Sequence, residues 1–441
     1  MLELNGINII SEGERHGKPS NLFWPWMAGN VSLLALSYGA FFLGYGISFW
    51  QATIAAIIGT VGSFALVAVS SLAGKKSNAP TMTLSRTIFG VKGNIVPGFL
   101  SYLLFVGWET VLVSLATLAT GTVLTKFGNI DKNIAQAIGF FLAAGLTIFG
   151  GVLGFKVIMR IQRWLTIATL VLSVGYVFLT INKINWSAVH AIPAGPNKGF
   201  IGALIFGITG IGLGWVNSAA DYSRYLPRES SSRAVIGWTI FGASIVPILM
   251  VIYGVLLAGS SKSLSDQVAA DPIGALTTLL PKWYLIPFAL VAILGLIGGS
   301  ILDLYSSGIA LVSIGLPVKR HIAATIDGGI MTIGTIYIVW IAKDFFGPFQ
   351  NFLITLGVPI AVWSAMFVAD VITRKSYDET ALFDEKGQYG AWNWPALTLL
   401  ILGSIIGWTF KSNDFSNIGI IYALVIGFIG QLILKIKKPR K

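Results

Sequence analysis

Long apolar runs dominate this chain, and short polar or basic segments separate them. Twelve runs come near the roughly 20 residues that cross a hydrocarbon core: 22–46, 50–73, 94–125, 134–155, 164–182, 199–220, 234–258, 286–315, 322–342, 350–370, 393–411 and 418–435. The pattern predicts an all-α polytopic membrane protein. The longest polar insert, 371–392, is too short to fold alone.

Composition agrees. Of 441 residues, 55% are hydrophobic and 11% charged, whereas a soluble protein carries about 25% charged residues. Cysteine is absent, so no disulfide or thiolate-bound metal is expected. His16, His190 and His321 have no metal-ligand spacing. The first twenty residues lack the order of a cleavable signal peptide. A net charge of +12 could point to nucleic acid, but the basic residues fall in short clusters between apolar runs. With the N-terminus inside, 22 of the 30 Lys and Arg fall in inward segments and eight in outward ones. That bias places both termini in the cytoplasm and favours an even number of spans.

Two carboxylates interrupt the apolar pattern. Glu109 lies in span three and Asp303 in span eight. An acid at membrane mid-depth costs roughly 2.5–3.5 kcal/mol on insertion scales, and it usually faces a polar cavity or a partner. Spans one and six are also interrupted, at Ala28-Gly29-Asn30 and by glycines at 207, 210, 212 and 214. Glycines permit close helix packing, but breaks at matching places in two halves also point to an inverted-repeat transporter. Spans one and six run in opposite directions, as an inverted five-plus-five repeat requires.

Three segments carry a resemblance. Ser77 to Gly98, SNAPTMTLSRTIFGVKGNIVPG, resembles the G-x-P … L-S-R … F-G … G-N … P segment of nucleobase:cation symporter-1 proteins. Span six ends in ADYSRYLP from Ala220, similar to that family's acidic-aromatic-Arg signature, and DLYSSGIAL from Asp303 is similar to its N-x-Y-S helix. Phe49-Trp50 and Gly107-Trp108 extend the likeness across about residues 20–340, and the purine–cytosine permease branch is the nearest. The resemblance implies a leucine-transporter-type fold: twelve transmembrane helices, built as repeats over 22–182 and 199–370 plus two added helices over 393–435. A cytoplasmic segment 1–21, the loop 371–392 and a basic tail 436–441 complete it. It further implies a cell-membrane symporter (plasma or inner membrane) importing a flat nitrogen heterocycle with Na+ or H+. That heterocycle is cytosine, a purine, an allantoin-like compound or a pyrimidine vitamin precursor. No other cofactor and no obligate protein partner is implied.

Carried over by position, Trp108 matches the family's substrate-stacking tryptophan, and Gly29 and Asn30 lie at the span-one break. The family's second stacking aromatic falls on Gly212, so Trp215 or Phe206 would have to replace it. A glutamine three residues before the tryptophan is Phe105 here, and the usual span-eight asparagine is Asp303. Glu109 and Asp303 could therefore recognise a substrate N–H or amine, hold a coupling ion, or hydrogen-bond a neighbouring helix. The family's sodium site implies the carbonyls of Ala28 and Val31 with span-eight hydroxyls, where this chain has Gly298, Gly299 and Ser300. Asp303 could compensate by neutralising sodium or carrying a proton. Asp221 and Arg224 suggest a gate or fixed ion pair at the inner end of span six, with Arg86 a partner for Asp221. Asp327 and Asp370, near helix ends, are expected to be solvated. The alternatives are an amino-acid or amine carrier of the same fold and, with less support, a channel. No nucleophile–base pair, metal cluster or phosphate loop argues for an enzyme.

Overall fold

A computed structural model describes residues 9–152, 155–314, 320–410 and 417–437. Lys319, Lys411 and the tail residues 438–441, counted above as topology signals, lie outside the described residues. The main helices are α1 (Phe23–Asn30), α2 (Leu34–Leu43), α3 (Phe49–Lys76), α4 (Ile95–Gly128), α5 (Lys132–Val152), α6 (Phe155–Thr180) and α7 (Asn197–Gly207). They continue with α8 (Ser232–Gly259), α9 (Lys282–Ser313), α10 (Arg320–Ile336), α11 (Phe346–Thr373), α12 (Trp394–Thr409) and α13 (Gly419–Lys437).

Local chemistry sets several helix ends. Ser48 and Gln51 cap α3 reciprocally, with Gln51 N–H donating to Ser48 Oγ at 3.3 Å and Ser48 N–H to Gln51 Oε1 at 3.0 Å. Lys75 and Lys76 close the same helix, where cations complement the dipole. Pro247, Pro287 and Pro359 sit inside α8, α9 and α11, as membrane helices tolerate when neighbours re-satisfy the freed carbonyls.

Among the described residues, nine helices are long and apolar enough to cross a membrane. A tenth crossing is a bent pair, Pro19–Asn30 with Leu34–Leu43, whose halves meet at 70°. Two shorter apolar helices, Thr325–Ile341 and Trp394–Thr409, lie where spans nine and eleven were expected. Large apolar side chains such as Phe141, Phe178 and Ile333 point outward, as a lipid-facing surface requires.

The helices pack as two bodies. In the first, α2 and α3 pack on α8, α7 on α3, and α1 on α8. In the second, α4, α5, α9 and α10 pack on one another, with α6 against α9. Helix α11 touches both through α3 and α4, and α12 and α13 cover its outer side.

Candidate functional site

Both expected helix breaks are present. Helix α1 stops at Asn30, whose Nδ2 donates to Trp26 O at 2.8 Å, and Val31 is extended (φ −78°, ψ 97°). No carbonyl from Ala28 to Val31 receives a backbone N–H among the described residues. The sixth span leaves α-helical geometry after Gly207 through a π turn (Ile208–Gly212) and a 3₁₀ segment (Leu213–Ser218) before Ala219–Ser223. Such mid-helix departures commonly mark functional hinges. The Tyr38 hydroxyl donates to Gly210 O, inside the π turn, at 3.0 Å.

Three of the expected residues converge between these breaks. Trp108 of α4 is half-buried and meets Phe349 and Phe352 of α11 edge-on, with ring centroids 5.7 and 6.0 Å apart. On its other side, a Cβ built at Gly214 would lie 3.9 Å from Trp108 Nε1. Trp215 covers Gly29: a Cβ there would come within 3.3 Å of its ring. Trp26 backs Trp215 edge-on at 6.0 Å. Gly29 itself is exposed.

Gly212 and Phe206 lie elsewhere. A Cβ at Gly212 would fall 2.1 Å from Ser63 Oγ, so that position is pressed against α3 and has no room for a ring. Phe206 is buried in an aromatic cluster with Tyr38, Phe41, Phe42, Tyr45, Phe346 and Phe349.

The acids divide differently from their sequence neighbours. Glu109 follows Trp108 but faces α9 and α10, fully buried, with neither carboxyl oxygen hydrogen-bonded. Asp303 and Asp327 are the charges near enough to act on it, and the Ser307 hydroxyl lies beside it. Asp303 is half-buried on α9. Ser300 points to Glu109 O at 3.5 Å and to Met331 Sδ at 4.0 Å, away from α1. Helix α9 packs on α4, α5, α6 and α10, while α1 packs on α8.

Two expectations need correction. Asp327 is fully buried and accepts from Tyr102 Oη at 2.6 Å and Ser307 Oγ at 2.8 Å. Asp370 is also fully buried. It pairs with Arg374 at 2.7 Å and Lys435 at 2.8 Å, and Thr87 Oγ1 donates to it at 3.2 Å. Neither acid is solvated: Asp327 recruits Tyr102 and Ser307 from other helices, and Asp370 recruits Lys435 and Thr87 in addition to Arg374 four residues on.

At the basic face, Asp221 accepts from Thr81 N–H at 2.9 Å and Thr81 Oγ1 at 3.0 Å. Arg224 lies over Tyr225 at 5.1 Å. Arg86 does not pair with Asp221: it donates to Leu382 O at 3.0 Å and stacks on Phe383 at 5.1 Å. Burial holds the Arg86 guanidinium below its ordinary pKa. The 371–392 loop takes its order from the 89–93 connection, through Val91 N–H to Gly390 O at 2.9 Å and Lys92 N–H to Ala391 O at 2.8 Å.

The N-terminal segment adds contacts that no sequence signal announced. Arg15 is buried and donates to Leu226 O at 2.9 Å and Lys75 O at 2.7 Å. Arg228 joins Glu12 at 2.8 Å and Glu379 at 2.9 Å. Hydrogen bonds from Asn78 and Arg228 hold the Glu12 carboxyl below its ordinary pKa.

The sequence model of one protein family, permeases for cytosine/purines, uracil, thiamine and allantoin, matches residues 9–429. The putative purine-cytosine permease YxlA of Bacillus subtilis (strain 168) is 26% identical over 425 residues, covering 94% of this chain and 89% of that protein. The cytosine permease of Escherichia coli (strain K12) is 26% identical over 373 residues, covering 83% and 80%. Among solved structures, Mhp1, a nucleobase-cation-symport-1 family transporter in a closed conformation with bromovinylhydantoin bound, aligns over 99% of this chain and 97% of its own. The TM-score is 0.69 at 18% identity, which shows a shared fold.

Proposed function

The chain belongs to the family of permeases for cytosine/purines, uracil, thiamine and allantoin, and from that premise we propose that it imports a nucleobase or related flat nitrogen heterocycle by cation symport. The family consists of membrane transporters, not enzymes. The observation that carries the substrate reading is the pair of indoles at the broken spans. Trp108 stands beside Gly214 and Trp215 over Gly29, so a flat ring could lie against either face. A flat aromatic ring offers a large apolar contact to a flat ligand, with a preference for offset or edge-on geometry. Trp215 takes the second stacking role, since Gly212 is occupied by its contact with Ser63. Asn30 and the bare carbonyls from Ala28 to Val31 supply polar contacts.

In this reading the two bodies rock against each other around the site, as alternating access requires. The coupling cation is Na+ or H+. The bent pair and the two shorter apolar helices support twelve crossings in a five-plus-five arrangement plus two. The distribution of Lys and Arg supports cytoplasmic termini in the cell membrane.

A thermal-shift screen of purines, pyrimidines and related vitamins, each with and without sodium, tests this. A ligand that binds the folded state raises its melting temperature by mass action. Stabilisation by at least one heterocycle, lost in Trp108→Ala, is the expected result. If only amino acids or amines stabilise the protein, the heterocycle reading falls and the amine-carrier alternative takes its place.

A further inference from the structure

Glu109 takes no part in the substrate arrangement above, and its surroundings are unlike those of the other buried acids. It is fully buried at mid-span with both carboxyl oxygens unpartnered. A desolvated charge without partners is far more costly than a neutral acid in the same place. Beside it stands a polar group of a different kind. Asp327 receives two O–H donors, Tyr102 at 2.6 Å and Ser307 at 2.8 Å, and so is furnished as an anion. Glu109 receives none.

Ser307 is the connection. Its single O–H is directed to Asp327 and to Leu304 O, which leaves its oxygen lone pairs free to accept. The one change that would complete this network is a proton on Glu109. Its new O–H could donate to Ser307, whose own O–H donates to Asp327.

We propose that Glu109, linked through Ser307 to Asp327 and Tyr102, is a proton-binding site inside the second body, separate from the substrate slot. On loading, a carboxylate lone pair of Glu109 forms an O–H bond with the incoming proton. On unloading that bond breaks and the electron pair stays on the carboxylate. The inference deepens the symport reading and rests on it for its role, but not for the site itself.

The groups that face the site are few. From α4 there is Tyr102, from α9 Asp303 and Ser307, and from α10 Asp327. From α5, α11 and the short helix Pro272–Thr277 no titratable side chain approaches it among the described residues. Asp370 on α11 is held by Arg374 and Lys435, and Asp271 accepts from Thr122 at the far end of α4. Since Glu109 follows Trp108 directly, loading would alter the packing of α4 one residue from the proposed ring contact.

The test is an infrared titration of the purified full-length protein in lipid vesicles, reading the protonated-carboxyl stretch. The wild type is expected to show a carboxyl band that grows as pH falls. Glu109→Gln should abolish it, and Asp327→Asn should move its midpoint by about one pH unit through loss of the coupled neighbour. A band that persists in Glu109→Gln, that ignores pH, or whose midpoint ignores Asp327→Asn overturns the proposal. If Glu109→Gln does not fold, Glu109→Asp serves in its place: it keeps an acid and must retain a titrating band at a shifted frequency, and loss of the band overturns the proposal. Cytosine uptake by the same vesicles, with and without an inward pH gradient, separates the two readings. A titrating band without cytosine uptake counts against cytosine as substrate and leaves the proton site standing.

Discussion

Two regions of this protein each bury a carboxyl completely, and they do so by opposite means. At the basic face, Asp370 is surrounded by Arg374, Lys435 and Thr87. Lys76 reinforces the same corner by donating to Val371 O at 2.8 Å and Arg374 O at 2.9 Å. In the middle of the second body, neither Glu109 oxygen accepts a hydrogen bond, and the one hydroxyl beside it, that of Ser307, is turned to Asp327. The first region solves the cost of a buried charge with countercharges and hydrogen bonds, and it ties α11, α13 and the adjoining loop together. The second leaves the cost standing. A cluster that satisfies every group is built for permanence; one that leaves a group wanting is built for occupancy to change.

The sharpest way to break this contrast is to remove Asp370. Asp370→Ala strands two partly exposed cations; loss of one partner from a fully buried pair typically costs about 3–5 kcal/mol, which is the upper bound here. Thermal unfolding in detergent should show a large loss of stability. A shift indistinguishable from wild type would mean that the clamp holds nothing.

Next in size is the neighbour of Glu109 that faces the other way. Trp108→Ala should weaken binding of the transported heterocycle by about 2 kcal/mol, roughly thirtyfold, as loss of a central aromatic contact does. Equilibrium binding measures it, and unchanged affinity would remove Trp108 from the substrate slot.

Gly212→Ala probes whether the sixth span is as tightly seated as its approach to Ser63 implies. Overpacking at such a contact costs roughly 1–3 kcal/mol, and the double change with Ser63→Gly should recover most of the loss. Failure of that rescue would place the strain elsewhere.

Glu109→Gln should change stability by less than about 1 kcal/mol, because no hydrogen bond or ion pair is lost. A loss as large as that of Asp370→Ala would erase the contrast between the two regions.

The smallest expected effect lies at the N-terminal segment. Glu12 has its pKa depressed in the folded protein by Asn78 and Arg228. Its contribution is therefore present above the ordinary carboxyl value of 4.5 and is lost as pH falls below it through the folded value. Limited proteolysis of residues 9–22 should accelerate over that acid range, and Glu12→Gln should remove the pH dependence.

Much of the architecture could be read from the chain because lipid imposes a simple rule: a crossing segment must be apolar and long. The breaks in spans one and six were legible for a related reason. Gly29-Asn30 and the glycines from 207 to 214 stand out against such runs. What could not be read was direction. Trp108 and Glu109 are neighbours, yet one residue turns a helix by about 100°, and a helix apolar on all sides gives no face to decide between. The two therefore look into different bodies. Asp327 and Asp370 were misread for a complementary reason. Their place near helix ends suggests water, while Tyr102, Ser307 and Lys435 reach them from α4, α9 and α13; only Arg374, four residues after Asp370, is a local partner. The contact that excludes a ring at Gly212 depends in the same way on Ser63, a residue with no signal of its own.

The hydroxyl of Tyr38 has a mechanical meaning. It belongs to the second half of the first interrupted span and holds the backbone of the sixth within its π turn. The two interrupted spans already meet through Phe206 and through Trp215 over Gly29, and this bond adds a directional tie between them. A tilt at one is delivered to the other as a pull on a carbonyl, with no side chain of the sixth span involved. Drift in that span's sequence would leave such a linkage intact, whereas loss of one oxygen at Tyr38 would part it.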